Sequence, residues 1–161
     1  MPQFLILAEK VHNEESVAFL IQEVAYWGTD KEKASLHELF LSPNYHYRAA
    51  ALHAVAILRD KNQEKDAIDT FEQQPEAIRQ EVLKAVYAIN SGKYTDFFVR
   101  AYRTSSLKQT REVALNCLYT YGKDGRRTFE LLRGEVLENE SDRVLMDQID
   151  AMGILNQLRM F

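Results

Sequence analysis

The sequence predicts an all-α fold: a right-handed α–α superhelix (solenoid) of about five antiparallel helix pairs. Three observations predict it. The composition favours helices, a pattern recurs about every 32 residues, and each recurring unit carries two amphipathic segments separated by turn residues. A single helix pair cannot hide its own apolar face, so stacked units must share one continuous core.

The composition is that of a helical domain without disulfide bonds. The chain has 161 residues, enough for one domain with a sizeable core, and only 6 Gly and 3 Pro, too few for a many-turned β-fold. Its net charge of −4 argues against a protein built wholesale to coat nucleic acid. A single cysteine, Cys117, excludes an internal disulfide framework. We therefore treat residues 1–161 as one helical repeat domain.

The repeat is most visible around three arginines. Arg48, Arg79 and Arg111 lie 31 and 32 residues apart. Each is followed by a small or β-branched residue at +3, Leu at +4, a small residue at +6, and Val or Leu at +7. This spacing places the apolar side chains on one face of a helix. A further step of 32 reaches Arg143, where the apolar pattern slips because aspartates occupy +4 and +7.

A second amphipathic segment precedes each of these helices, and turn residues separate the two. Its apolar residues are Leu36, Leu39 and Phe40; Ala67, Ile68 and Phe71; Phe97, Phe98 and Tyr102; and Phe129, Leu132 and Val136. The predicted units are approximately 1–29, 30–60, 61–92, 93–122 and 123–161.

An Arg that opens the second helix, followed by this apolar pattern, resembles the HEAT family, particularly its shorter HEAT-like variety. The resemblance covers residues 30–122 well and the flanks loosely. It implies that Arg48, Arg79, Arg111 and Arg143 form a ladder between neighbouring units. The alternative is that each Arg only caps or solvates its own helix. The units are shorter than the usual 40–47 residues of HEAT repeats, and the first-helix signature of tetratricopeptide repeats is missing.

No catalytic, metal or cofactor site is predicted. The four histidines, His12, His37, His46 and His53, do not have metal-ligand spacing. Cys117 occupies the +6 core position of its helix, which predicts a packing residue and not a nucleophile. Because no nucleophile, base and orienting group assemble, we expect a protein that is not an enzyme.

The predicted partner-binding surface is the concave face of the solenoid, lined by the second helices. Positions +1, +5 and +8 after each Arg point away from the core, and a tyrosine occupies +8 in two units. The partner is expected to be a protein or peptide, because Tyr supplies contact area together with a hydroxyl. The alternative is that the tyrosines only fill space between adjacent helices. The predicted stripe comprises His53, Gln80, Lys84, Tyr87, Glu112, Asn116 and Tyr119.

Positive charge is concentrated between residues 93 and 133, a segment with a net charge of +5. The candidate basic patch comprises Arg100, Arg103, Lys108, Lys123, Arg126 and Arg127. Nucleic acid is an alternative ligand, although neutralisation by Glu130, Glu135 and Glu138 is favoured. DNA-repair glycosylases and chromophore lyases of HEAT-like type are the enzymatic alternatives that the resemblance implies.

Both ends of the chain are apolar: Phe4-Leu5-Ile6-Leu7 at one end and residues 154–161 at the other. Either the ends fold inward, or the chain is part of a longer array, or the ends associate with another copy. We favour the longer array. No run of about 20 apolar residues predicts membrane insertion, so we expect a cytoplasmic protein or the soluble part of a larger, membrane-anchored one. The leading prediction is a non-enzymatic protein-binding scaffold.

Overall fold

The computed structural model describes residues 13–89 and 93–158, together with Ile6 and Lys10. The side chains of Glu14 and residues 152–158 lie outside this description. The predictions for the apolar ends therefore fall outside the described residues, apart from the exposed side chain of Ile6. Every regular element in the described part of the chain is helical, which confirms the predicted all-α class.

The helices form two compact units, residues 1–91 and residues 92–161. The first unit contains α1 (Glu14–Trp27), α2 (Asp30–Ala34), α3 (Tyr45–Leu58), α4 (Lys61–Asp69) and α5 (Glu76–Ile89). The second contains α6 (Thr95–Thr104), α7 (Lys108–Thr120), α8 (Gly122–Glu138) and α9 (Glu140–Leu158).

In the first unit the long helices pack in series, α1 against α3 and α3 against α5. The shorter helices α2 and α4 continue into 3₁₀ turns, Ser35–Leu39 and Phe71–Gln73. Each turn belongs to a segment that the sequence predicts as one amphipathic helix. Leu36 and Phe71 within the turns, and Phe40 directly after the first turn, are fully buried. The core of this unit is therefore shared between three long helices and two short helical segments.

Polar side chains begin the helices of the first unit, as the turn residues predict. Asn13, Asn44 and Asp60 each accept hydrogen bonds from two backbone amides at the start of α1, α3 and α4. Thr29 and Glu32 form a reciprocal capping box on α2. These caps satisfy amides that have no partner within their own helix.

In the second unit α7 packs against α6 and α8, while α9 packs against α8 and α7. Gly122 opens α8 at φ = 71°, a conformation that favours glycine. Gly125 lies so close to α7 that a Cβ there would stand 2.4 Å from the carbonyl oxygen of Leu118. The tight α7–α8 turn therefore depends on both glycines.

The repeat is visible in the structure, because each ladder arginine is the fourth residue of its helix: α3, α5, α7 or α9. Residues at +3, +4, +6 and +7 after Arg48, Arg79 and Arg111 are all buried. Among the described side chains of α9, the buried ones are instead Asp142, Leu145, Met146 and Ile149. The apolar face of α9 is thus displaced by about one position, which explains why Asp147 occupies a nominal core position and yet is exposed.

Candidate functional site

All four ladder arginines donate to carbonyl oxygens of the segment that precedes their own helix. Each guanidinium reaches back five to seven residues and donates to a backbone carbonyl oxygen at or just after the end of the preceding helical segment. The acceptors are Ser42 for Arg48 (2.8 Å), Gln74 and Glu72 for Arg79 (3.0 and 2.9 Å), Ser106 for Arg111 (2.8 Å) and Leu137 for Arg143 (3.0 Å). The same local contact therefore recurs at the arginine of each repeat.

In the first unit, Arg48 also reaches the next predicted repeat. Its Nη1 donates to Oε1 of Gln74 at 3.0 Å, and Nε2 of Gln74 donates to the carbonyl oxygen of Phe40 at 2.9 Å. Gln74 is 2% exposed, so both ends of its amide are used inside the protein. The bridge joins the turn before α3 to the turn before α5.

In the second unit, Arg111 makes the corresponding link to α9. Its Nε and Nη2 donate to the two carboxylate oxygens of Asp142 at 2.8 and 3.0 Å, and Nη2 also donates to Oγ of Ser141 at 3.0 Å. The hydroxyl of Tyr102 donates to the same carboxylate at 3.3 Å. The side chain of Asp142 is 0% exposed, and that of Arg111 is 14% exposed.

The electrostatics of this cluster favour an ionised Asp142. Burial acts to raise its pKa, but hydrogen bonds from Arg111, Ser141 and Tyr102 and the charge of Arg111 outweigh burial and lower the pKa below its usual value. Burial, followed by the neighbouring carboxylate, raises the pKa of Tyr102 to about 12. Tyr102 is therefore a neutral donor and not an acid at neutral pH. Arg111, Asp142 and Tyr102 therefore form an internal polar cluster of the second unit.

The predicted stripe is organised by a residue that the sequence analysis missed, Glu81. Its carboxylate contacts Nε2 of His53 on α3 and accepts from Nζ of Lys84 on α5 at 2.8 Å. The hydrogen bond from His53 is the main reason why the pKa of Glu81 falls to about 2, and Lys84 adds to it. The sequence contains a signal for the contact between Glu81 and Lys84, because Glu81 precedes Lys84 by three positions on one helix.

Beside this network, Tyr87 is 38% exposed and Gln80 is half-buried. Gln80 lies four positions before Lys84 and Tyr87 three positions after it, so all three share one face of α5. We name the surface formed by His53, Gln80, Glu81, Lys84 and Tyr87 the α3–α5 stripe. It spans two packed helices of the first unit.

The stripe residues of the second unit are drawn into contacts with their own and neighbouring helices. Glu112 pairs with Lys108 at 3.6 Å, and the carbonyl oxygen of Asn116 accepts from the hydroxyl of Thr120 at 2.7 Å. Tyr119 lies edge-on to Phe129 on α8, with ring centroids 5.3 Å apart. The guanidinium of Arg126 covers the ring of Tyr119 at 4.7 Å. Tyr119 therefore helps to pack α7 against α8.

All six residues of the predicted basic patch are exposed, and several of them also contact other side chains. Arg103 donates to Glu135 at 2.8 Å, and Lys108 pairs with Glu112. Arg100 lies over the ring of Phe97 at 5.5 Å. Lys123, Arg126 and Arg127 lie at the start of α8, where Arg126 also covers the ring of Tyr119. A cleft of about 390 Å³ adjoins Lys123 and Arg126.

Chemically reactive groups are sparse in the described residues. Within them, no group of three or more His, Cys, Asp or Glu side chains converges to hold a metal ion. Cys117 is buried, as its core position predicts, and burial raises the pKa of its thiol to about 12. Among the described helices, none combines the length and the apolar character needed to cross a bilayer.

The chain was compared with protein-family models, curated proteins and solved structures. None of the three comparisons yields a match.

Proposed function

We propose that the chain is a protein- or peptide-binding scaffold module, built as a HEAT-like solenoid whose second helices line a concave face. The observation that carries the proposal is the α3–α5 stripe. Glu81 joins His53 of one helix to Lys84 of the next, beside the exposed ring of Tyr87. The surface thus presents charged, polar and aromatic groups across a helix–helix boundary.

The contacts within the stripe reduce the entropic cost of binding. His53 and Lys84 are both held by the carboxylate of Glu81, so part of their rotamer freedom is already lost in the free protein. Tyr87 adds a large amphipathic ring with two side-chain torsions and a hydroxyl. A peptide that lies across α3 and α5 would contact fixed polar groups and one aromatic anchor.

Repeated anchoring of the turns supports the same proposal. The ladder arginines tie successive turns to their helices, and Arg48 and Arg111 reach into the following repeat. A scaffold of packed helices with turns held in this way is suited to displaying side chains at fixed separations.

The test is selection of peptides from a display library on the wild-type protein, followed by affinity measurements on variants. Tyr87→Ala and Lys84→Ala should each weaken the selected peptides, by about tenfold where the side chain is an anchor. Tyr45→Ala is the matched control, because Tyr45 is exposed but does not belong to the stripe. A library that yields no binder contradicts the proposal, as do binders that all three variants leave unchanged.

A further inference from the structure

The outward face of α1 carries an exposed aromatic cluster. The inward face of this helix buries every fourth residue from Val17 to Ala25, and the helix packs against α3. Phe19 and Tyr26 lie on the opposite side of the helix and are 60% and 56% exposed. Trp27, in the last turn, is 82% exposed. Large rings that face water together mark interaction sites more often than single exposed apolar residues do.

Carboxylates lie on either side of Phe19 along this face. Glu15 precedes Phe19 by four positions and Glu23 follows it by four, spacings that bring helix side chains together. Glu15 is exposed and Glu23 is half-buried. Between Phe19 and Tyr26 the exposed Gln22 adds a neutral amide. We name the surface formed by Glu15, Phe19, Gln22, Glu23, Tyr26 and Trp27 the α1 outer face.

The charged groups of the α1 outer face are both negative. No Lys or Arg occurs in α1. Lys33 of α2 approaches the end of the helix, where its Nζ donates to the carbonyl oxygen of Tyr26 at 3.4 Å. That contact uses a backbone acceptor and not a carboxylate. The outer face therefore combines three exposed rings with the carboxylates of Glu15 and Glu23.

We propose that the α1 outer face binds a basic amphipathic helix of a partner protein, whose apolar residues pack on Phe19 and Tyr26 while its lysines and arginines meet the two carboxylates and Trp27. The inference concerns a different surface from the α3–α5 stripe and does not rest on its function.

The chemistry of the surface selects this partner. An aromatic ring attracts a cation through its face, and Trp does so most strongly. Phe19 and Tyr26 are two helical turns apart, about 10 Å along the axis, which suits apolar residues spaced at i and i+7 on a docked helix. Carboxylates on both sides of Phe19 attract a cationic chain and repel an acidic one.

A second copy of this chain offers a poorer match. Its most exposed aliphatic residue among those described is Leu131 on α8, 79% exposed, with Lys123 and Arg127 on the preceding turns. The positions seven residues before and after Leu131 are Asp124 and Glu138, both acidic and exposed. A docked α8 would therefore cover one ring and place a carboxylate near the other, next to the acidic outer face. The pattern favours a foreign segment that is apolar at both positions.

The probe for the test is already in the protein, because Trp27 is its only tryptophan. We would titrate the full chain with a Lys/Leu amphipathic peptide of about four helical turns that contains no aromatic residue. A Glu/Leu peptide of the same pattern serves as the control. The readouts are the emission wavelength of Trp27 and sedimentation velocity of the protein alone.

The expected result is a blue shift of Trp27 emission with the Lys/Leu peptide and no shift with the Glu/Leu peptide. Phe19→Ser should weaken binding by about tenfold, as for an interface anchor. Glu15→Gln with Glu23→Gln should weaken binding and reduce its salt sensitivity. Glu138→Gln with Asp147→Asn changes the net charge equally but lies in the second unit, so binding to that variant should match wild type.

Several outcomes overturn the proposal. The first is equal weakening by both pairs of neutralising substitutions, which means binding to net charge alone. The second is blue-shifted emission of the protein without peptide, which means that the face is already covered; sedimentation then shows whether a second copy covers it. The third is a loss of peptide binding in Tyr87→Ala while Phe19→Ser binds the peptide as the wild type does. That result assigns the peptide to the α3–α5 stripe.

Discussion

Arg111 donates hydrogen bonds to both carboxylate oxygens of Asp142, which lies 31 positions further along the chain and is completely buried. A buried carboxylate is tolerable only when it is paired and hydrogen-bonded. This ion pair links the start of α7 to the start of α9 within the second unit. Its contribution is best measured by removing one partner at a time.

Arg111→Met is expected to lower the free energy of unfolding by about 3–5 kcal/mol, because it leaves the buried carboxylate of Asp142 without a cationic partner. Chemical denaturation of both proteins measures the difference. Arg103→Met is the control, since it breaks an exposed pair with Glu135 that is worth about 0–1 kcal/mol. Adding Asp142→Leu to Arg111→Met should recover part of the loss. Equal losses in the free energy of unfolding for the two Arg substitutions would mean that the buried pair stabilises the protein no more than the exposed pair does.

Gln74→Ala is expected to cost about 1–3 kcal/mol, because it leaves the carbonyl oxygen of Phe40 buried without a donor and removes an acceptor from Arg48. The neighbouring Gln73 is exposed, so Gln73→Ala changes the same side chain without breaking the bridge. Thermal melts of the two variants make the comparison. If the two variants have the same melting temperature, the Gln74 bridge is not a stabilising contact between repeats.

The spacing of the arginines could predict much of the fold, because burial at +3, +4, +6 and +7 follows directly from helical periodicity. Val86 and Leu115 are fully buried, as expected. The 3₁₀ turns were not predictable, because the segment around Phe71 shows the same apolar spacing as a longer helix. Solenoid geometry and the number of helix pairs stay predictions.

The polar contacts were harder to foresee. Asp142 precedes Arg143 by one position, and its counterparts Ile78 and Thr110 are also buried. The sequence alone does not show this burial, and an aspartate at such a position is interpreted as a solvent-facing residue until its partner is known. The exposure of Trp27 was missed for a related reason: periodicity identifies the buried face of a helix and leaves the opposite face unexamined.

The first unit should lose stability in acid through Glu81. Its pKa is about 2 in the folded protein, below the unfolded value of about 4.3, so its stabilising contribution is present above about pH 4.3 and is lost as the pH falls towards 2. Glu81→Gln should be less stable than wild type at neutral pH, and the difference should narrow in acid. Denaturation midpoints between about pH 7 and pH 2.5 measure this. Glu38→Gln, which removes an exposed carboxylate outside this contact, is the matched control.

The thiol of Cys117 should be inert in the folded protein. It is buried, and burial raises its pKa to about 12, so very little thiolate is present at pH 8. A thiol reagent should therefore label the native protein slowly and the denatured protein rapidly. Because the chain has one cysteine, the labelling rate reports opening of the α7 region alone. Fast labelling without denaturant would contradict the packing described here.

A buried charge should unfold either unit. Val86→Asp in α5 and Leu115→Asp in α7 each place a carboxylate at a fully buried position without a partner. The cost is several kcal/mol, a large share of a total stability of about 5–15 kcal/mol. Val144→Asp is the matched control, because Val144 is 56% exposed and should change stability by no more than about 0.5 kcal/mol. Circular dichroism melts should show loss of cooperative unfolding for the two core variants only. A wild-type melt for either variant would contradict the apolar core described for its unit.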